Sequence, residues 1–99
     1  TQVEGVQMKN TVDGTISSLD VEGLFIFIGH SPVSGFYPEQ LATDEWDFIL
    51  TDVEMRSNLP GIFAAGDIRS KLCRQVATAV GDGATAAHAA FLYLEQLNG

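Results

Sequence analysis

Ninety-nine residues allow one small domain or a piece of something larger. Thirteen acidic against five basic side chains leave a net charge of −8, which argues against a nucleic-acid or anionic-membrane surface. An apolar fraction of 45 % with three prolines points to an ordered globular chain, and the lone cysteine, Cys73, excludes an internal disulfide, a CxxC redox pair and a cysteine-rich zinc site.

In chain order, Gly5 to Asn10 and Thr15 to Val21 are short alternating runs joined through Asp13-Gly14, a two-residue hairpin signal. Leu24-Phe25-Ile26-Phe27-Ile28 is apolar at every position and bounded by Gly23 and Gly29, the pattern of a strand covered on both faces. Phe36 to Asp47 is mixed and contains Pro38, so it is expected to form a loop and a short turn. Phe48 to Thr51 is expected to be a brief strand, Asn58-Leu59-Pro60-Gly61 a turn, and Ile62 to Ala65 a second short buried strand that ends at Gly66-Asp67. Residues 68–73 form a polar connector.

From Gln75 to Asn98 there is no proline, and Val76, Ala79, Val80, Gly83, Ala87, Ala90, Phe91, Leu94 and Leu97 recur at steps of three and four. At about 100° per residue they fill an arc of roughly 120°, the stripe of an amphipathic helix, with Asp82 and Thr85 on its far side. Within this helix stands Gly81-Asp82-Gly83-Ala84-Thr85-Ala86, close to the G-x-G-x-x-G/A string of dinucleotide-binding folds. A true fingerprint occupies the turn between a strand and a helix. Here the string lies inside one helical pattern, so it is read as a decoy. Two glycines in a helix cost about 1 kcal/mol each against alanine, a cost that close approach of another backbone or a flat ligand would justify.

The candidate binding site is instead the strand end plus the helix start. Gly66 lets a ligand approach the main chain, and Asp67 offers a carboxylate that accepts hydrogen bonds from sugar-like hydroxyls. Arg74-Gln75-Val76 opens the helix, where free N–H groups and the helix dipole favour an acceptor oxygen or a developing negative charge. No residue is assigned a catalytic role. His30 is read as a loop histidine and His88 as structural, with no carboxylate cluster completing a metal site. Cys73 is read as a small, partly buried side chain, and Trp46 as packing over a loop. Leu92 and Tyr93 fall off the apolar arc, where they suit a subunit contact or core-edge packing.

The string Gly61-Ile62-Phe63-Ala64-Ala65-Gly66-Asp67, followed by Arg74-Gln75-Val76 and Gly81-Asp82-Gly83-Ala84-Thr85-Ala86-Ala87, resembles the C-terminal signature of the low-molecular-weight bacterial thioredoxin reductases. Leu24 to Pro32 is similar to the segment where their chain leaves the NADPH domain and re-enters the FAD domain. The resemblance implies an α/β fold: a fragment of a two-dinucleotide-binding-domain flavoprotein, made of a β-hairpin, short strands and a long C-terminal helix. It implies that residues 1–28 end an NADPH-binding domain and that residues 29–99 are the C-terminal half of an FAD-binding domain. On that resemblance Asp67 bonds the ribityl chain of FAD, the N–H groups of Gln75 and Val76 meet the flavin pyrimidine edge, Gly66 joins the cofactor site, and Arg74 either anchors the loop or contacts the bound nucleotide. NADPH would be bound by residues absent from this sequence.

The implied enzyme is a NADPH-dependent, FAD-containing thioredoxin-disulfide reductase, with a thioredoxin-like disulfide protein as partner and a homodimer as assembly. This segment, which lacks the redox CxxC and both Gly-rich fingerprints, would be inactive alone. The alternatives on the same scaffold are the flavoprotein partner of a peroxiredoxin, a ferredoxin–NADP reductase, or a non-catalytic remnant. Thr1 in first place suggests a removed start methionine or a piece of a longer polypeptide. No run approaches the ~18 apolar residues of a membrane span, and a reducing cytoplasm is the expected compartment.

Overall fold

The computed structural model describes residues 1–99. Strands β1 (Gly5–Lys9) and β2 (Ile16–Asp20) pair antiparallel, with Gly5 opposite Asp20, Gln7 opposite Ser18 and Lys9 opposite Ile16. The connection is longer than the expected two-residue turn. Asn10 N–H donates to the Thr15 carbonyl at 2.8 Å and Gly14 N–H to the Asn10 carbonyl at 2.9 Å, enclosing residues 11–14. Side chains complete it: Asn10 Oδ1 accepts from Val12 N–H, and Asp13 Oδ1 from both the N–H and the hydroxyl of Thr15. Gly14 supplies the left-handed residue, at φ 76°.

Leu24–Ile28 does not form the expected covered strand. The segment makes no ladder, and its five side chains are between 54 % and 93 % exposed. The cause is the absence of a neighbour: β1 and β2 pair only with each other, and a strand exists only where adjacent backbone accepts its hydrogen bonds. The hairpin packs against no other helix or strand. The chain measures 68 × 26 × 25 Å with a radius of gyration of 20.5 Å, against about 13 Å for a compact domain of this length.

The body of the molecule lies between residues 35 and 99. Its core is Leu41, Ile49 and Ala64, with Tyr37, Leu59 and Ile68 packed around them. Two loops of the same design frame it. Asp44 Oδ1 accepts from the N–H groups of Trp46 and Phe48, and Asp52 Oδ1 from those of Glu54 and Arg56. In each loop the residue three after the aspartate, Asp47 or Met55, is left-handed at φ 67° or 66°. The aspartate N–H then closes the loop onto the carbonyl of Phe48 or Arg56. The expected strands at 48–51 and 62–65 are reduced to single bridges. Ile49 pairs with Thr43 on one side and in parallel with Arg69 on the other, and Phe63 pairs with Arg56.

Chain direction changes at the 3-10 turn Gly66–Ile68, and the long helix α1 (Val76–Asn98) closes the body and packs against that turn. Gln75 is its N-cap residue, its N–H donating to Thr78 Oγ1 at 3.3 Å. The face the helix turns to the body is rotated from the apolar stripe and overlaps it only at Ala79, Gly83 and Ala90. Ala79, Asp82, Gly83, Ala86 and Ala89 turn inward, whereas Val76, Val80, Phe91, Leu94 and Leu97 are between 55 % and 81 % exposed. The inward side carries small residues, Ala79 Cβ lying 3.6 Å from where a Cβ on Gly66 would stand, and the bulky part of the stripe is left facing outward. No helix is long and apolar enough to cross a membrane.

Candidate functional site

The site forms where the bridged segment 62–65 ends. Gly66 adopts φ 84°, a conformation that costs an L residue with a side chain roughly 1–2 kcal/mol. Its N–H points to α1 and donates to Asp82 Oδ2 at 3.0 Å, while its carbonyl accepts from Arg69 N–H at 3.1 Å. Asp67 therefore stands at the crown of a tight turn. Its carboxylate accepts no hydrogen bond from the chain, is exposed, and borders a pocket of about 300 Å³ whose wall includes His30, Ser31, Phe36 and Phe48.

Arg74 brackets this turn from the other side. Its Nε donates to the Asp67 carbonyl and its Nη2 to the Arg69 carbonyl, both at 3.0 Å, and its guanidinium lies 3.7 Å from the centre of the Phe48 ring. That stacking is a cation–π contact, and it fixes a planar donor fork against two carbonyls of the turn. Arg74 thus couples Asp67 to the start of α1. The next residue, Gln75, gives its N–H to Thr78, and the N–H groups of Val76 and Ala77 have no acceptor within the chain. Arg74 is brought onto the carbonyl of Asp67, the neighbour of Gly66; Gln75 and Val76 follow Arg74 and do not line the Asp67 pocket.

Asp82 is the functional-region residue that the sequence misplaced. Expected on the far side of the helix, it faces the turn, with its side chain 12 % exposed. One oxygen, Oδ2, receives Lys71 Nζ at 2.7 Å, Arg69 Nη1 at 2.8 Å and Gly66 N–H at 3.0 Å. Partial burial pushes its pKa upward, but the bonds from Lys71, Arg69 and Gly66 together outweigh it and hold the carboxyl at about 2, below the usual 3.8. Arg69 Nε continues the network to Thr51 Oγ1 at 2.8 Å, and Lys71 Nζ reaches Thr78 Oγ1 at 3.1 Å. Asp82 belongs to the Gly81–Ala86 string. Because that string lies within α1, it is no nucleotide-binding turn.

Other expectations resolve individually. Cys73 is exposed, not partly buried, because it sits in the connector ahead of α1 and only its carbonyl is engaged, by Thr78 Oγ1. Trp46 is 69 % exposed at the tip of its loop. Tyr93 makes an internal contact, edge-on to Phe63 at 6.2 Å and against Gly61, where a Cβ would lie 3.4 Å from its ring. His88 borders a separate pocket of about 410 Å³ with Glu54 and Leu92.

An exposed, unengaged carboxylate thus ends a bridged segment, and the free amides of a helix start follow it along the chain. The pyridine nucleotide-disulphide oxidoreductase family matches residues 1–83, and the chain belongs to that family. Within it, the similarity is to thioredoxin reductases. The chain is 48 % identical over 96 residues to thioredoxin reductase of Listeria innocua, covering 97 % of this chain and 30 % of that protein. It is 45 % identical over 97 residues to thioredoxin reductase of Treponema pallidum, covering 98 % and 31 %. The crystal structure of Lactococcus lactis thioredoxin reductase superposes with a TM-score of 0.77 at 44 % identity, covering 94 % of this chain and 31 % of that one. The chain therefore spans slightly less than a third of the length of these relatives.

Proposed function

We propose that this sequence is the C-terminal segment of a NADPH-dependent, FAD-containing thioredoxin-disulfide reductase. In this reading residues 1–28 end the NADPH domain and residues 29–99 form the second half of the FAD domain. The observation that carries it is the state of Asp67: a carboxylate with both oxygens unengaged, on a turn whose backbone is held from two directions, beside a pocket. Such a group suits a hydroxylated chain, which presents several donors to a carboxylate acceptor.

The residues fit an FAD molecule in part. Asp67 would accept from the ribityl hydroxyls, with Gly66 allowing close approach of the chain. The free Val76 N–H, at the positive end of α1, would face the pyrimidine edge, with Gln75 alongside it. When bound, FAD supplies a centre that takes a hydride from NADPH and passes an electron pair to a disulfide. The helix terminus favours negative charge by about 0.3–1 kcal/mol when exposed and up to about 2 kcal/mol when partly buried. Arg74 holds the turn by way of the Asp67 and Arg69 carbonyls. Neither Gly-rich fingerprint nor a CxxC is present in these residues, so the pyrophosphate sites and the redox pair belong to the rest of the enzyme.

A thioredoxin-like disulfide protein as acceptor, a homodimeric assembly and a cytoplasmic location complete the proposal. The test is made on the full-length chain carrying this sequence, purified and desalted. It is expected to retain flavin absorbance and to reduce a thioredoxin disulfide with NADPH. A colourless protein, or one whose bound flavin NADPH does not bleach, would contradict the assignment.

A further inference from the structure

We propose that Asp82 is a positioning residue for the cofactor, acting through Gly66 and Asp67; this rests on the FAD reading above. A single carboxylate oxygen on the second turn of α1 gathers donors from Gly66, Arg69 and Lys71, so that the segment 66–71 wraps around it. Asp67 sits between the first two of these anchors. Its own side chain is left out of the network, while the backbone on both sides is fixed to the helix that also presents the Val76 N–H.

Two residues aimed at one ligand need a fixed separation, and flexible loops do not provide it. Here the separation between the turn and the helix start is set by two braces. Arg74 ties the carbonyls of Asp67 and Arg69 to the residue just before the N-cap. Asp82 ties the Gly66 amide to the second helical turn, and its cations extend the tie: Arg69 to Thr51 and Lys71 to Thr78 at the helix start. The Gly66 amide matters most. At φ 84° the turn is held in a conformation that a slack chain leaves readily, and its N–H has no other acceptor.

A residue that merely stabilises the fold would weaken FAD binding equally whether or not Asp67 is present. A residue that aims Asp67 loses its effect once that carboxylate is gone. The experiment is therefore a double-mutant cycle on the full-length enzyme, measured as the FAD dissociation constant from titration of apoprotein. The variants are Asp82→Asn, Asp67→Ala and the pair, with thermal unfolding of each apoprotein recorded alongside.

Asp67→Ala is expected to weaken FAD about tenfold or more, the scale of one charge-assisted hydrogen bond. Asp82→Asn is expected to weaken it roughly fivefold in the parent and less than about twofold in the Asp67→Ala background, a coupling on the scale such cycles resolve. Should Asp82→Asn fail to fold, Lys71→Met, which removes one of the three donors and leaves the carboxylate, takes its place in the cycle with the same sign expected. An equal loss in both backgrounds, or no loss in either, overturns the positioning role while leaving the FAD site standing. No loss for Asp67→Ala overturns the FAD reading itself, and the positioning role with it.

Discussion

Acid is the most direct perturbation of the Asp82 network. The carboxyl is held at about 2 against an ordinary 3.8 because Lys71, Arg69 and Gly66 donate to it, against the opposing effect of burial. Each unit of difference between folded and unfolded pKa is worth about 1.4 kcal/mol, so the ionised network contributes about 2 kcal/mol. At 12 % side-chain exposure, solvent screening removes little of this. The sign follows from the depressed value. The stabilisation is fully present above about pH 4.5 and is lost as pH falls through the ordinary value toward 2, where the folded carboxylate takes up its proton. Asp82→Asn lacks this titration. Urea unfolding of parent and variant, measured from pH 7 to pH 2.5, is expected to give a stability difference that is constant down to about pH 4.5 and shrinks by about 1–2 kcal/mol below it. At neutral pH the variant should be less stable by about 2–4 kcal/mol, since two nearly buried cations lose their counter-charge. A stability difference that does not change between pH 7 and pH 2.5 would refute the reasoning, because the bonds seen at Oδ2 would then carry no linkage.

Further substitutions probe the backbone. Gly66→Ala is expected to cost about 1–2 kcal/mol in unfolding free energy through its φ of 84°; the space is adequate, with Ala79 Cβ 3.6 Å from the added atom, so a neutral result would mean the turn relaxes. Gly83→Ala meets nothing within 4 Å and should raise the helicity and stability of the 99-residue chain by about 1 kcal/mol; destabilisation there would reveal a neighbour outside this structure. Asp52→Ala removes the acceptor of two loop N–H groups and should lower stability by about 1 kcal/mol, read from the denaturation midpoint; no change would assign the loop to backbone bonds alone.

The local elements were legible because their causes are local. Alternation around Asp13-Gly14 gives a hairpin whatever surrounds it, and a proline-free stretch with apolar steps of three and four gives a helix. What the helix packs against was not legible. Val80, Phe91 and Leu94 dominate the periodicity and stay exposed, whereas the side turned to the body is rotated toward Asp82, Ala86 and Ala89, so only the small members Ala79, Gly83 and Ala90 of the stripe face inward. Leu24–Ile28 failed for the related reason that strand pairing is non-local: the sequence shows the apolar run and not its neighbour.

Asp82 was missed because an aspartate between two glycines reads as solvent-facing. A signal was available in the charges. Three of the five basic residues, Arg69, Lys71 and Arg74, crowd into six positions, and so dense a cluster calls for a carboxylate opposite. The paired loops were equally visible as Thr43-Asp44 and Thr51-Asp52, eight residues apart. The candidate site was expected at a strand end followed by a helix start, and the chain runs there from the bridged segment 62–65 through the turn Gly66–Ile68 to α1, with Gln75 and Val76 outside the Asp67 pocket. Of the two roles open to Arg74, loop anchor or nucleotide contact, its bonds to the Asp67 and Arg69 carbonyls and its stacking on Phe48 show the first.

The proposed cofactor site depends on the carboxylate of Asp67, and the FAD dissociation constant of the full-length Asp67→Ala enzyme tests it most directly. A constant raised about tenfold or more, with the unfolding midpoint of the apoprotein unchanged, is the predicted result. An unaltered constant would mean that the cofactor does not meet this turn.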